Sequence, residues 1–314
     1  MKYTKPYLFI KRSLLMLLEF FLISWIVVTV TFVLIHSLPG RTGLTAGPGL
    51  TQEQINTINA KYGLDQTLTK QYFSYIGGLF SGNLGISTGI HPGLEIEKFI
   101  WGKFLTSFQV GVISLFIGWI IGIPVGIYVG SRPNGIADSI SSIFVAIILA
   151  IPGFAMGLLF LIFASDTGLP YLYDKGDGWT LIIPALALAI GTVITYIKFL
   201  RTEINTQINS QHAKFAMAKG VKARRFVWRH ALRPAFFPIA TFFPMAVIGS
   251  FLGSIFIETI FGIPGAGQLM INGINSKDYN VIQFLVVLYT LLTIISYQLR
   301  DGMYRLLDPR ARGK

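Results

Sequence analysis

Residues 210–234 read SQHAKFAMAKGVKARRFVWRHALRP, a polar and basic insertion between two stretches apolar enough to span a bilayer. From Lys214 to Arg233 it carries seven Lys or Arg residues and no acid. Positive charge at that density beside membrane spans marks the cytoplasmic side. Within it Ala213, Ala216, Met217 and Gly220 recur at helical spacing, giving one small-residue face to a short helix. A face that bare can settle closely into a groove on another protein. The insertion is therefore read as a docking element for a cytoplasmic partner.

The apolar stretches on either side of it belong to a set of six, near residues 14–38, 106–130, 140–165, 181–199, 235–257 and 281–299. Each approaches the roughly 20 apolar residues that a hydrocarbon core demands. The whole chain agrees: 314 residues, 53% hydrophobic and 13% charged, where a soluble domain carries about 25% charge. Mean hydropathy is +0.61. The first stretch exceeds the apolar core of a cleaved signal peptide and is followed by no small-x-small site, so it is expected to stay in the membrane. If both termini are cytoplasmic, 19 of the 26 basic residues fall on the inner side, and the orientation is set. That placement accounts for a net charge of +12 without a nucleic-acid partner. Trp101 and Trp179 at outer ends, with Tyr128, Tyr196 and Tyr297 near inner ends, suit interfacial anchoring.

The expected organisation is a cytoplasmic N-terminus and first span (1–38), an extracytoplasmic segment (39–105) and a membrane core (106–314) with a cytoplasmic loop at 203–234. The extracytoplasmic segment opens with the Gly/Pro-rich GRTGLTAGPG, then offers a helix that Thr51 caps and Gly63 stops. A second amphipathic piece, LTKQYFSYIGGLF, precedes the turn-rich SGNLGIST. The segment is too short and Gly-rich to bury much core alone, so it is read as a cap packed on the spans.

Breakers crowd the spans: Pro124, Pro152, Pro184, Pro238 and Pro244. Gly118, Gly122, Gly126 and Gly130 make a ridge at four-residue intervals, on which another helix backbone can approach closely. Ionisable residues are scarce in the spans. Glu19, His36 and Glu258 each lie near a span end, within reach of water, and an intramembrane acid such as Glu258 calls for a functional hypothesis. Glu258, Pro152, Gly262 and Pro264 are the candidates for a gate or solute path. Catalysis is not expected. With no Cys, and only His36, His91, His212 and His230 as histidines, no constellation has nucleophile or metal-ligand spacing. The glycines of FGIPGAGQL (261–269) are not followed by the Lys-Ser or Lys-Thr of a phosphate-binding loop, so the chain is not expected to carry its own ATP site.

These residues resemble the integral-membrane permease subunits of ATP-binding-cassette importers. The cytoplasmic signature of that family has a small residue early in a short helix, a Gly four residues later, and a second helix ending in Leu and Pro. Ala216, Gly220 and Leu232 take those places. The parent pattern opens Glu-Ala-Ala, whereas this chain has Lys214-Phe215-Ala216, like the peptide and nickel branch, in which a basic residue opens the motif. Ala218-Lys219-Gly220 and Arg229-His230-Ala231-Leu232 look like that version. SLPG at 37–40, GNLGIS at 82–87 and ETIFGIPGAGQL at 258–269 resemble the first of the two permeases of dipeptide and oligopeptide importers.

The resemblance implies an all-α, polytopic integral membrane protein of six transmembrane helices with the type I importer permease fold. It implies a coupling helix made by Ala213, Lys214, Phe215, Ala216, Met217, Ala218, Lys219 and Gly220, with Ala213, Ala216 and Met217 facing a cleft in an ATPase subunit. Gly220 would end that helix at positive φ, and Arg224, Arg225, Arg229, His230 and Leu232 would support the coupling loop. The implied partners are a second homologous permease, two cytoplasmic ATPases that hold the ATP and Mg, an external solute-binding protein, and the bilayer of a bacterial inner or plasma membrane. This chain itself would bind no cofactor. The cargo is left open between peptides and nickel chelates, glutathione or oligosaccharides, and a self-powered channel or secondary transporter is the alternative of another kind.

Overall fold

The computed structural model describes residues 6–37 and 51–307, with side chains from Leu14 onward. Residues 38–50, which hold most of SLPG and the Gly/Pro-rich stretch, lie outside the described residues, as do Lys2, Lys5, Arg310, Arg312 and Lys314. Among the described residues the regular structure is helical, apart from two isolated β-bridges. Five helices are long and apolar enough to cross a membrane, or six crossings if one bent pair counts as a single span. The chain divides into two compact units.

The first unit comprises the residues up to Leu105 together with Pro264–Gln298. Its long helix α1 (Pro6–Ser37) exposes Leu14, Leu18, Phe21, Trp25, Val33 and Leu34, an apolar surface that suits lipid or another membrane helix and would be a liability in water. Helix α2 (Gln52–Tyr62) begins at a capping box in which Thr51 and Gln54 bond each other's backbone, and it stops at Gly63, φ +68°. Helix α3 (Leu68–Ser81) lies along α1, where Tyr72 meets Thr29 at 2.6 Å and Gln71 meets His36 at 3.2 Å. Only Ile55 of these two short helices is buried, and α3 buries none of its residues. They are a cap on the spans, without a core of their own.

The second unit comprises Thr106–Ile263 and the residues from Leu299 on. Helix α4 (Glu97–Gly130) runs unbroken through Pro124. From Thr106 onward it packs on α7 (Ile182–Ile208) along the glycine ridge: a Cβ on Gly122 would lie 3.0 Å from the Val193 backbone, and one on Gly130 3.0 Å from that of Arg201. Helix α7 buries Ile183, Ile194, Leu200 and Ile204 and is the centre of the unit.

The third expected span is not one helix. Helices α5 (Ile136–Ala150) and α6 (Gly153–Thr167) meet at a bend of 99°. Pro152 lacks an N–H and disfavours helical backbone at the residue before it, and Ile151 is extended (φ −85°, ψ 122°). Each arm has 15 residues, or about 22 Å, short of a hydrocarbon core of about 30 Å. Asp138, at the start of α5, is paired with Arg201 of α7.

The fifth expected span is also broken. A run of short helical turns precedes a helix at Phe237–Leu252, which ends at Gly253; a further turn at Ile255–Ile260 continues it. Gly253 has φ +70° and ψ 178°, a conformation essentially reserved for glycine. The last long helix, Tyr279–Leu307, is continuous.

Candidate functional site

The basic insertion folds into a compact foot at the end of α7. Ser210 caps a helix of its own, α8 (Gln211–Ala218), accepting from the Ala213 N–H at 3.3 Å. Its hydroxyl also donates to Gln207 O at 2.6 Å, which ties the foot to α7. Gly220 has φ +83°, and the N–H groups of Gly220 and Val221 donate back to Met217 O and Ala216 O at 2.9 and 3.1 Å. This reversal closes the last helical carbonyls and needs glycine. The chain then re-enters helix at Ala223–Phe226 and widens into a π turn over Val227–Ala231, before Leu232–Ala235.

The foot has a small core of its own in Ala213, Phe226 and Ala231, all 0% exposed, with Ala216 and Val221 packed on it. His212 and His230 flank the Phe226 ring. Of the three residues expected to face an ATPase cleft, Ala213 is buried in the foot, Ala216 is half-buried and Met217 is exposed. Ala213 and Ala216 turn inward, because the second half of the loop folds back and fills the space that their missing side chains leave. The outward face consists of Lys214, Phe215, Ala218 and Lys219, with Phe215 68% exposed and Met217 at the edge. Arg224, Arg225, Arg229 and His230 are exposed, and Leu232 is half-buried against the α7 side of the unit.

Around the two breaks, Gly157 of α6 lies against Ile257 so closely that a Cβ would come within 2.7 Å of its side chain. A cavity of about 430 Å³ sits there, bordered by Ile151 and Gly153 at one break and by Ser254, Phe256 and Ile257 at the other. Ser254 is the only polar side chain among its described lining residues.

Glu258 does not reach water as its place near a span end suggested. It is 1% exposed, its carboxylate accepts from Ser107 Oγ at 2.6 Å and from the Ser254 N–H at 3.3 Å, and it fills the space beside Gly253. Pro152 is exposed at its bend, and Gly262, at φ +65°, is exposed just after the helical turn. Pro264 belongs to the first unit, and no described contact brings these four residues into one site.

Sequence reasoning missed Asp278. It is 0% exposed and caps the last helix, and the 87–90 loop wraps its carboxylate. Ser87 Oγ, the Gly89 N–H and the Ile90 N–H donate to one oxygen, the Thr88 N–H and hydroxyl to the other; the three N–H distances are 3.0 Å. Burial alone would raise its pKa, but the Ser87 hydroxyl and the Thr88, Ile90 and Gly89 N–H groups outweigh it and hold the acid below the ordinary carboxylate value. An Asp directly before an apolar helical run is a capping signal. Its loop partners lie about 190 positions away, and no local pattern announces them.

Residues 122–313 match the model of the binding-protein-dependent transport system inner membrane component, and residues 7–94 match that of its N-terminal membrane component. The dipeptide transport system permease protein DppB of Lactococcus lactis is 31% identical over 96% of this chain and 98% of its own. The oligopeptide transport system permease protein OppB of Salmonella typhimurium is 30% identical over 92% of this chain and 94% of its own. DppB of Bacillus subtilis is likewise 30% identical over 91% of this chain and 93% of its own. Among solved structures, a chain of the MetNI methionine ABC transporter in an inward-facing conformation superposes with a TM-score of 0.52 at 18% identity, covering 68% of this chain and 98% of that one. At that identity the likeness is one of fold.

Proposed function

The chain belongs to the importer permeases of the dipeptide and oligopeptide transport family, and from that premise we propose that it forms, with a second homologous permease, the path by which short peptides cross a bacterial inner or plasma membrane. Both termini are cytoplasmic in this reading. Segment 39–105 faces outward to an external solute-binding protein, and core 106–314 presents its coupling loop, 203–234, to two ATPases. Those partners hold ATP and Mg and carry out the hydrolysis; this chain binds no cofactor.

The observation that carries the proposal is the construction of the foot. A part that transmits force must be stiff toward its own chain and adhesive toward its partner. The Ala213–Phe226–Ala231 core supplies the stiffness, and Phe215, 68% exposed on a short capped helix, supplies the adhesive surface. The apolar cavity at the two breaks supports a cargo with apolar side chains more than a sugar or a metal chelate, and breaks in membrane helices are where transporters place their solute sites.

Co-purification tests the coupling. Burying one Phe side chain contributes about 1.5–3 kcal/mol, so Phe215→Ala weakens recovery of the ATPases by roughly 10- to 100-fold. Phe215→Asp abolishes it while leaving the chain in the membrane. Stoichiometric ATPase recovery with Phe215→Asp, or ATP-independent uptake by the chain alone, refutes the proposal.

A further inference from the structure

The first unit holds a second, partly open cavity of about 490 Å³, with a mixed polar and apolar lining, between α1, α2, α3, the 83–88 loop and the last helix. That volume lies in the range of small-ligand sites. At its floor is Gln283, 3% exposed, whose amide nitrogen has no hydrogen-bond partner among the described residues. The buried hydroxyl of Tyr75 beside it has none either. Burial pushes the Tyr75 phenol above its ordinary pKa, and the neighbouring Gln283 amide offsets this only in part without reaching hydrogen-bond geometry, so the hydroxyl keeps its proton. A buried donor left unmade costs about 1–3 kcal/mol; even where the Gln283 N–H turns onto the phenol oxygen, the Tyr75 O–H is left to find an acceptor.

The lining indicates what that occupant offers. Gln71 is fixed in orientation, since its nitrogen donates to Leu64 O at 3.2 Å and Gln66 O at 2.8 Å while its oxygen faces His36. The other His36 nitrogen faces Phe32 O at 2.9 Å. Asn280 donates to Ile86 O at 2.9 Å. What remains to be satisfied is donors, Gln283 N–H and Tyr75 O–H, with the Lys61 ammonium over the Tyr62 ring at the rim. No carboxylate is among the described lining residues. The complement is an acceptor-rich, negatively charged group attached to a small polar body.

We propose that this cavity is a second solute site, which takes the C-terminal end of a short peptide, its carboxylate toward Lys61 and its last carbonyl on Tyr75 and Gln283. The proposal rests on the peptide reading above and extends it to a station outside the break-lined cavity.

Direct binding to the assembled, membrane-embedded complex without its external binding protein tests it, with alanyl-phenylalanine and its C-terminal amide as probes. The complex is expected to bind the acid at least ~10-fold tighter than the amide, since a bond to a charged group contributes about 1.5–3 kcal/mol. Lys61→Gln brings that ratio to about 1, and Gln283→Leu with Tyr75→Phe weakens both probes about 10-fold. Replacing unpaired buried polar groups by apolar ones of like shape should leave the thermal midpoint unchanged or higher, which separates loss of a ligand contact from loss of the fold. Equal binding of acid and amide, or binding unmoved by the substitutions, overturns the site and shows a cavity filled by water alone. Either result leaves the permease reading standing; that reading is decided separately, by ATPase co-purification and by ATP-driven peptide uptake in the full transporter.

Discussion

Replacing Asp278 by Asn tests the architecture of the first unit most directly. The two side chains have nearly the same shape, so the change isolates charge and acceptor count. In the native knot five donors from residues 87–90 converge on the two oxygens. An Asn side chain must turn its NH2 toward one cluster or the other. Turned toward Gly89 and Ile90, it leaves two N–H groups without an acceptor. Turned toward Thr88, whose hydroxyl can rotate to accept, it leaves without an acceptor the Thr88 N–H and the more distant Val281 N–H, 3.4 Å away in the native fold. The second arrangement gives up the longer Val281 bond and so costs less, about 1–3 kcal/mol for the orphaned Thr88 N–H plus the weakened cap and the lost charge assistance on the remaining bonds. About 3 kcal/mol in all is expected, or roughly 100-fold in the local opening constant. Hydrogen exchange of the amides of residues 88–90 reads that constant. The pH dependence has a defined sign. The acid's pKa is depressed in the fold, so its contribution is complete at neutral pH and disappears only as pH falls below the ordinary carboxylate value and through the lower, folded one. Unchanged exchange at residues 88–90 in Asp278→Asn would refute the claim that this carboxylate holds the loop.

Two further outcomes are expected in the second unit. Gly253→Ala puts a non-glycine residue at φ +70° and a Cβ 2.2 Å from Glu258 Oε1 and 2.8 Å from Ser107 Oγ; a loss of at least ~2 kcal/mol is expected, visible as a lower thermal midpoint in detergent. Gly122→Leu drives a side chain into the Val193 backbone, 3.0 Å from where its Cβ begins, and the overpacking should cost about 1–3 kcal/mol by the same measurement, whereas Gly102→Leu, with open space around its Cβ, should change nothing.

Local chemistry was legible in the sequence and distant chemistry was not. Thr51 and Gly63 bound a helix because capping is decided within four residues, and Gly220 takes positive φ for the same reason. The glycine ridge at 118–130 marked a close helix contact, since only glycine leaves that room. By contrast, apolar content says that 140–165 is membrane-buried without saying whether it is straight. Pro124 and Pro152 look alike in the sequence, yet α4 passes through one and the chain turns 99° at the other. The direction of the small-residue face was also out of reach, because what covers Ala213 is Phe226, on the far side of a reversal. The role of Asp278 and the burial of Glu258 were hidden for the same reason: Thr88 and Ser107, which bond them, are 190 and 151 positions away.

The two breaks that border the apolar cavity are held by different chemistry, and that difference decides which is the more compliant. At Gly253 the chain is pinned by a buried carboxylate that bonds Ser107 on one helix and the first free N–H after the break, with Ser254 Oγ accepting from the Ile257 N–H at 3.4 Å. Opening it leaves the buried Glu258 carboxyl and the Ser254 N–H without their partners, which costs about 1–3 kcal/mol per group. At Ile151–Pro152 no side chain caps either helix end. The bend there rests on proline stereochemistry and on the packing of α6, whose Ala164 is fully buried against α7 and whose Gly157 lies against Ile257 and Ile260, and stereochemistry forbids a continuous helix without fixing one angle between the arms. A rocking of the second unit that changes the cavity's shape is therefore cheapest at Pro152. Helix α5, of which only Asp138 is buried, would swing about that residue, while the core packing of α6 and the Glu258 knot keep the opposite wall in place.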